Sequence, residues 1–260
     1  MSLTQTGKVR VLLGLVVLAT LAMFLVPPIA QDPAYHRFAD QRTWLGISNG
    51  ANVLSNLPFL VVGLLGLREI ATAPPGMIAE FRTGYRIFFA GIAAIGLGSA
   101  YYHHNPNHAT LVWDRLPMTV AFMALVAIVV AEHISLTWGR RLLWPLEAIG
   151  VLSVFYWHIT ELNGHGDLRL YGLVQFLPML LVPIVLLWFP SRFTRTGYLW
   201  GLLAGYGLAK LAEMADQPIA DALGGISGHT VKHLLAAGAA YVFFLAIRER
   251  RPLGIPSLWR

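Results

Sequence analysis

The sequence predicts an all-α protein, a polytopic transmembrane helical bundle with a seven-helix core plus one extra N-terminal helix. Of its 260 residues, 56% are hydrophobic and only 12% are charged, which is more apolar surface than a water-soluble domain of this length can bury. The apolar residues also fall in continuous runs of about 18–25, the length that a helix needs to cross a bilayer. The strands of a membrane barrel would instead alternate in segments of about ten.

Eight such runs divide the chain into two parts. Residues 1–30 are interpreted as an N-terminal transmembrane helix or signal anchor, since the run is long and ends in Pro27 and Pro28, which fit a cleavage motif poorly. A cleaved signal peptide is the alternative. Residues 31–260 are predicted to form the seven-helix membrane domain. The predicted spans are 11–29, 52–67, 85–102, 114–131, 142–159, 170–189, 198–214 and 228–247.

The basic residues between the runs predict the orientation. With the N-terminus inside, thirteen Lys and Arg residues lie in inner segments and four in outer ones, which is a clear positive-inside signal. We therefore expect both termini in the cytoplasm, and the short basic loops are typical of a bacterial inner-membrane protein. This distribution also accounts for the net charge of +6 without a nucleic-acid partner. The inner residues are Lys8, Arg10, Arg68, Arg82, Arg86, Arg140, Arg141, Arg192, Arg195, Arg248, Arg250, Arg251 and Arg260.

This orientation gathers polar residues near the outer (periplasmic) face. His103 ends the third span, Asp114 begins the fourth, and His229 and His233 begin the eighth. An i, i+4 spacing puts His229 and His233 on one helix face, and likewise Ser99 and His103. The chain has no cysteine, so a metal would need His, Asp or Glu ligands. Three histidines would leave a tetrahedral zinc one open position, where a water becomes a nucleophile near neutral pH.

The predicted metal ligands are therefore His103, His229 and His233, and the predicted catalytic residues are Asp114 and Ser99. A carboxylate beside a metal-bound water can take its proton, and a hydroxyl can donate a hydrogen bond to the water or to a developing oxyanion. Because polar side chains are costly in a bilayer, a cluster of them indicates function.

Other roles for the polar residues stay open. A histidine in a membrane helix can simply bond a neighbouring helix. His104 and His108, which we expect in the loop after the third span, could make the cluster a pH sensor. Ser55 is expected to tie helices together or to rim the site. Lys232 is expected off the metal-binding face, paired with a carboxylate such as Glu213.

These stretches in combination resemble the alkaline ceramidases, whose wider superfamily includes the adiponectin receptors. The matching motifs are GSAYYH at 98–103, DRLPM at 114–118 and HTVKH at 229–233, and NVLSN at 52–56 resembles the family's first-helix motif. The resemblance runs from the second span to the eighth. It implies a seven-helix core with a three-histidine zinc site.

The resemblance also implies an activity. A member of this family would hydrolyse the amide bond of a ceramide-like N-acyl sphingoid lipid, giving a fatty acid and a free sphingoid base. It implies that His103, His229 and His233 bind zinc and that Asp114 and Ser99 contact the zinc-bound water. The expected partners are the lipid substrate and the bilayer, and no protein partner is evident.

Calcium is not an expected cofactor of this chain. Eukaryotic members of the family bind it through an acidic N-terminal segment next to the site. The corresponding residues 35–49 have Asp40 as their one carboxylate, and Asn49 stands where a glutamate is expected.

Two other functions remain open from the sequence. A lipid receptor or sensor would hold a structural zinc and bind a lipid without turnover. A transporter would use the histidines and carboxylates as a proton relay, but these residues gather at one face and form no path across the membrane.

Overall fold

The computed structural model describes residues 4–254 and shows the predicted all-α bundle. Arg260, which we counted among the inner basic residues, lies outside the described part. Short 3₁₀ helices occur at Pro33–His36 and Ala79–Phe81. The α-helices are α1 (Gln5–Leu25), α2 (Gly50–Leu54), α3 (Leu57–Ala71), α4 (Arg82–His104), α5 (His108–His133), α6 (Leu136–Leu162), α7 (Arg169–Trp188), α8 (Gly197–Met214), α9 (Asp216–Ala222) and α10 (Gly228–Glu249).

The long helices fall where the eight spans were predicted. Within the described residues, six segments are long and apolar enough to cross a membrane, with α2 and α3 counted together. The two long helices outside that set are α4, of 23 residues, and α8, of 18. Helix α4 packs between α3 and α5, and α8 packs along α10. Helix α4 carries Ser99 and His103, two of the five predicted site residues.

Several helix boundaries differ from the predicted ones by a few residues, and two of these differences have a clear local cause. Helix α1 ends at Leu25, because Pro27 follows Val26 and the residue before a proline favours extended backbone (Val26 φ −81°, ψ 138°). Helix α5 begins at His108, six residues before its predicted start, because Asn107 forms a capping box there. The expectation that His104 and His108 lie in a loop was therefore wrong, since His104 ends α4 and His108 begins α5.

Helix α1 lies at the edge of the bundle and is held at both ends. Only Leu12 is buried among its described residues. Near its start, the Lys8 Nζ donates to the carbonyl of Trp188 at the end of α7 (2.7 Å). Just beyond its end, the Arg169 Nη1 donates to the Val26 carbonyl (2.9 Å). Helix α1 thus meets the bilayer over most of its surface while remaining fixed to α7.

A buried ion pair fixes the end of the bundle where α5 finishes. Arg250 makes two 2.8 Å bonds to the carboxylate of Glu132, and the Tyr85 hydroxyl donates to the same carboxylate (2.7 Å). Arg250 is fully buried and Glu132 almost so. Because the guanidinium forms a bidentate pair, neither charge is left uncompensated in the apolar interior.

Two glycines allow the close helix contacts that position the opposite end. A Cβ on Gly98 would lie 2.0 Å from the carbonyl oxygen of Trp113, which has no intrahelical donor because residue 117 is a proline. A Cβ on Gly228 would lie 2.2 Å from the carbonyl oxygen of Ala212. These glycines directly precede Ser99 and His229, so backbone contact sets where both side chains lie.

We expect Gly98→Ala to destabilise the protein, because the new methyl group would force α4 and α5 apart. Overpacking of this kind costs about 1–3 kcal/mol, measured here as a lower midpoint of thermal unfolding in detergent. The matched control is Gly207→Ala in α8, where nothing lies within 4 Å of the added Cβ. Alanine favours a helix over glycine by about 1 kcal/mol, so the control should melt at or above the wild-type midpoint. Equal melting of Gly98→Ala and the wild type would contradict the close contact.

Candidate metal centre

Three histidines converge between the end of α4 and the start of α10. His103, His229 and His233 are 0%, 4% and 2% exposed. Their ring centroids lie 4.7–4.9 Å apart in all three pairs. One nitrogen from each ring lies within 4.8 Å of the other two. The structure therefore brings together the three predicted ligands from helices more than a hundred residues apart.

The spacing of the ring nitrogens suits a tetrahedral metal ion. The Nε2 atoms of His103 and His229 are 3.3 Å apart. Two nitrogens that bind one tetrahedral zinc at about 2.0–2.1 Å are separated by about 3.3–3.4 Å. The Nε2 atom of His233 is buried and has no hydrogen-bond partner. Three imidazoles in this arrangement could hold zinc or a similar ion that prefers nitrogen ligands.

Ser55 selects which nitrogen of His233 is free. Its hydroxyl donates to the carbonyl of Asn52 (3.0 Å) and lies 2.8 Å from His233 Nδ1. With its own hydrogen directed to the Asn52 carbonyl, the Ser55 hydroxyl can accept a hydrogen bond from Nδ1–H. That leaves a lone pair on Nε2, the form of histidine that binds a metal. Ser55 thus both ties α2 to α10, as expected, and borders the site.

Hydrogen bonds to the backbone hold the other two ligands. Asn49 donates its side-chain amide to the carbonyl of His103 (2.9 Å). Asp216 accepts from the backbone N–H of His229 (2.8 Å) and, through its other oxygen, from that of Ala39 (2.9 Å). Asp216 therefore joins the start of α10 to the segment that follows α1.

Phe38, in that same segment, covers the histidines. Its ring centroid lies 4.7 Å from that of His103 and 4.6 Å from that of His229, and only 5% of the residue is exposed. The segment is anchored at Asn52, which donates to the Asp40 carbonyl and accepts from Thr230 (3.1 and 2.8 Å). The segment between α1 and α2, which the hydropathy pattern left outside the membrane, thus covers the three histidines.

The two predicted catalytic residues line a cavity beside the histidines. Ser99 and Asp114 are 2% and 6% exposed, and Ser99 is within hydrogen-bonding reach of the Asp114 carboxylate. Both border a cavity of about 450 Å³ that also reaches His233. Most of its lining residues are apolar, and its charged ones are Asp114, Arg115, Arg169, Lys210, Glu213 and Lys232. The carboxyl group of Asp114, the hydroxyl of Ser99 and the imidazole of His233 therefore border one mostly apolar cavity.

Lys232 lies closer to the histidines than predicted. Its Nζ is 2.9 Å from Glu213 Oε1, the expected partner, but also 2.9 Å from His229 Nε2. The expectation that Lys232 lies off the metal-binding face was wrong in this respect, because its long side chain bends back toward the preceding turn. Glu213 also pairs with Lys210.

Asp40 and Asn49, in the segment between α1 and α2, already have other hydrogen-bond partners. Arg42 binds the Asp40 carboxylate through two bonds of 2.8 and 2.9 Å, and these bonds lower the pKa of that carboxyl. The Asn49 side chain is directed to the His103 carbonyl. The two side chains considered for calcium at the sequence level therefore have other partners here.

Sequence reasoning missed the residues that support the ligands from outside their own helices. Phe38, Asn49 and Asp216 act through contacts between segments that are distant in the chain, and no period or spacing records such contacts. The one available signal was the polarity of the Asn52 and Ser55 stretch inside an apolar span.

Comparison with protein families agrees with this geometry. No curated protein matches the chain. The family described as Ceramidase matches residues 46–191, which is more than half of the chain. The matched region includes Ser99, His103 and Asp114 and ends before α10. Together with the helical membrane-type bundle, this match establishes that the chain belongs to the ceramidase family.

Proposed function

We propose that this protein is a zinc-dependent membrane amidohydrolase that cleaves the amide bond of ceramide-like N-acyl sphingoid lipids to a fatty acid and a free sphingoid base. The observation that carries the proposal is the cavity on which Ser99, Asp114 and His233 converge. It combines a polar end, where hydrolysis needs acid–base groups, with apolar walls suited to lipid chains. Membership of the ceramidase family supports the same activity.

His103, His229 and His233 are the proposed zinc ligands. When bound, zinc would polarise the amide carbonyl and lower the pKa of a water so that it can act as nucleophile. The chain contributes the neutral imidazoles, and Ser55 keeps His233 in the tautomer that leaves Nε2 available. Phe38 limits access of bulk water to the ligands.

Asp114 is the proposed general base and acid. Its carboxylate takes a proton from the attacking water and returns it to the amine nitrogen as the C–N bond breaks. Ser99, on the neighbouring helix, orients this carboxylate or donates to the oxygen of the former carbonyl. The close approach of α4 and α5 at Gly98 keeps the two side chains together.

The apolar part of the cavity is the proposed site for the lipid chains. Its walls come from six of the long helices besides α1, and include Phe59, Ile92 and Met179. Met23 in α1 and Ile29 just beyond it also border it. We propose that the lipid enters sideways from the outer leaflet of a bacterial inner membrane, with both termini of the protein in the cytoplasm, as the basic residues predict. We propose zinc as the cofactor and no calcium site at Asp40, whose carboxylate is paired with Arg42.

We expect Ser55→Ala to weaken zinc binding, because His233 would lose the partner that fixes its tautomer. The loss of such a supporting bond typically costs 10–100-fold in metal affinity. The measurement is zinc content of the purified protein during titration with a chelator. Ser153→Ala is the matched control, since Ser153 is also buried but bonds only the Gly150 carbonyl in α6. Wild-type affinity in Ser55→Ala would show that Ser55 does not support a metal ligand.

We expect Asp114→Asn to lose hydrolysis of a fluorescent ceramide by about 10²–10⁴-fold while retaining bound zinc, because an amide cannot accept the proton. Asp221→Asn on the exposed face of α9 should behave like the wild type. Near-normal turnover of Asp114→Asn with zinc bound would exclude Asp114 as the base. A wild-type protein that binds zinc and ceramide but never hydrolyses it would instead be the lipid sensor.

A further inference from the structure

Arg115 is a buried cation on the wall of the proposed active-site cavity. It follows Asp114 in α5, is 5% exposed and borders the same chamber. Among the described residues, no carboxylate lies within the 4.0 Å ion-pair distance of its guanidinium. An uncompensated charge away from water is costly. Arg250, the other fully or almost fully buried arginine, has the carboxylate of Glu132 as its partner.

The neighbours of Arg115 satisfy only part of its hydrogen-bonding capacity. Its Nη2 donates to Gln31 Oε1, whereas its Nη1 is buried without any partner. The guanidinium carbon lies 4.2 Å from the ring centroid of Trp157 and 4.6 Å from that of Tyr171. Such rings stabilise the cation through its flat faces. The N–H donors point along the edges of the guanidinium plane, so ring contacts leave them free.

The other charged groups at the cavity do not supply the missing anion. Lys210 and Lys232 share the one carboxylate of Glu213. Arg169 is bound to Asp167, and its bonds lower the pKa of that carboxyl to about 2. Asp114, the remaining carboxylate on the wall, is the proposed general base. The cavity lining therefore has more cations, Arg115, Arg169, Lys210 and Lys232, than carboxylates, Asp114 and Glu213.

We propose that Arg115 binds an anionic group on the head of the substrate, close to the amide that is cleaved. The inference rests on the proposed function and narrows its substrate class: the preferred substrates are N-acyl lipids whose amine carries a phosphate, sulfonate or carboxylate. Arginine binds such groups with two parallel N–H donors. The acyl chain would occupy the apolar walls, and the anionic head would supply the partner that Arg115 lacks.

Two matched substrate pairs test this preference in the zinc-loaded full-length protein. The first pair is ceramide and ceramide 1-phosphate with the same fluorescent acyl chain. The second is N-oleoylethanolamine and N-oleoylglycine, which differ in a hydroxymethyl and a carboxylate group. We expect the wild type to favour the anionic member of at least one pair by about 10-fold or more in kcat/KM, the typical effect of a charge-assisted hydrogen bond.

Variants of Arg115 test whether this side chain causes the preference for the anionic lipid. Arg115→Gln should lower kcat/KM for the preferred anionic lipid about 10- to 100-fold and change that for its neutral counterpart less than about threefold. Arg115→Lys should retain part of the preference, since it keeps the charge but not the fork of donors. Arg37→Gln is the control for loss of a cation on the same face, because Arg37 is exposed, and it should leave the substrate ratio unchanged.

The outcomes separate this inference from the proposed function. If ceramide is hydrolysed and neither anionic lipid is preferred, the inference is wrong and the proposed function stands, whether or not Arg115→Gln folds. Hydrolysis of none of the four lipids overturns both. If phosphatidylglycerol vesicles, compared with phospholipid-free micelles, raise ceramide hydrolysis in the wild type but not in Arg115→Gln, Arg115 binds a bilayer lipid and the inference is also overturned.

Discussion

The hydrogen bond between Ser55 and His233 shows the constraint that governs the site. Inside a bilayer, a polar group must find its partner within the protein, because water is not there to replace a missing bond. A metal ligand must also keep one nitrogen free. Ser55 meets both needs by passing its own hydrogen to Asn52 and accepting that of His233. Asn52 in turn binds Thr230, so the start of α2 and the start of α10 must stay together for the ligands to face each other.

The fold and the convergence of the three histidines could be predicted from the sequence because both leave local patterns in it. Hydropathy gives the spans, and the i, i+4 spacing gives His229 with His233 and separates His103 from His104. Predictions failed where a hydropathy or helical-spacing pattern was overridden by another interaction. The capping box at Asn107 starts α5 earlier than hydropathy indicates, and the length of Lys232 lets it reach a residue that its helical position places on another face. Phe38 contacts His229 across most of the chain, and no sequence pattern records that contact.

Asp114 and Arg115, adjacent in α5, place a carboxyl group and a guanidinium group on the wall of one cavity. Asp114 places a carboxyl group beside the three histidines, whereas the guanidinium group of Arg115 lies against aromatic rings. Both border one cavity of about 450 Å³. The low dielectric of such a chamber strengthens each interaction with a ligand. A lipid amide with a charged head would therefore be oriented along α5, with its amide toward Asp114 and its head toward Arg115.

The position of α1 has a consequence for how the protein fits the thickness of its membrane. This helix has 21 residues, a length of about 31 Å, and the hydrocarbon core of a typical bilayer is about 30 Å thick. Its ends are fixed to α7, while Met23, near its end, and Ile29, just past it, form part of the cavity wall. In a thicker or thinner membrane a free helix would adjust by tilting, whereas α1 would strain these end contacts. The thickness of the host membrane would then change the width of the cavity that Met23 and Ile29 border.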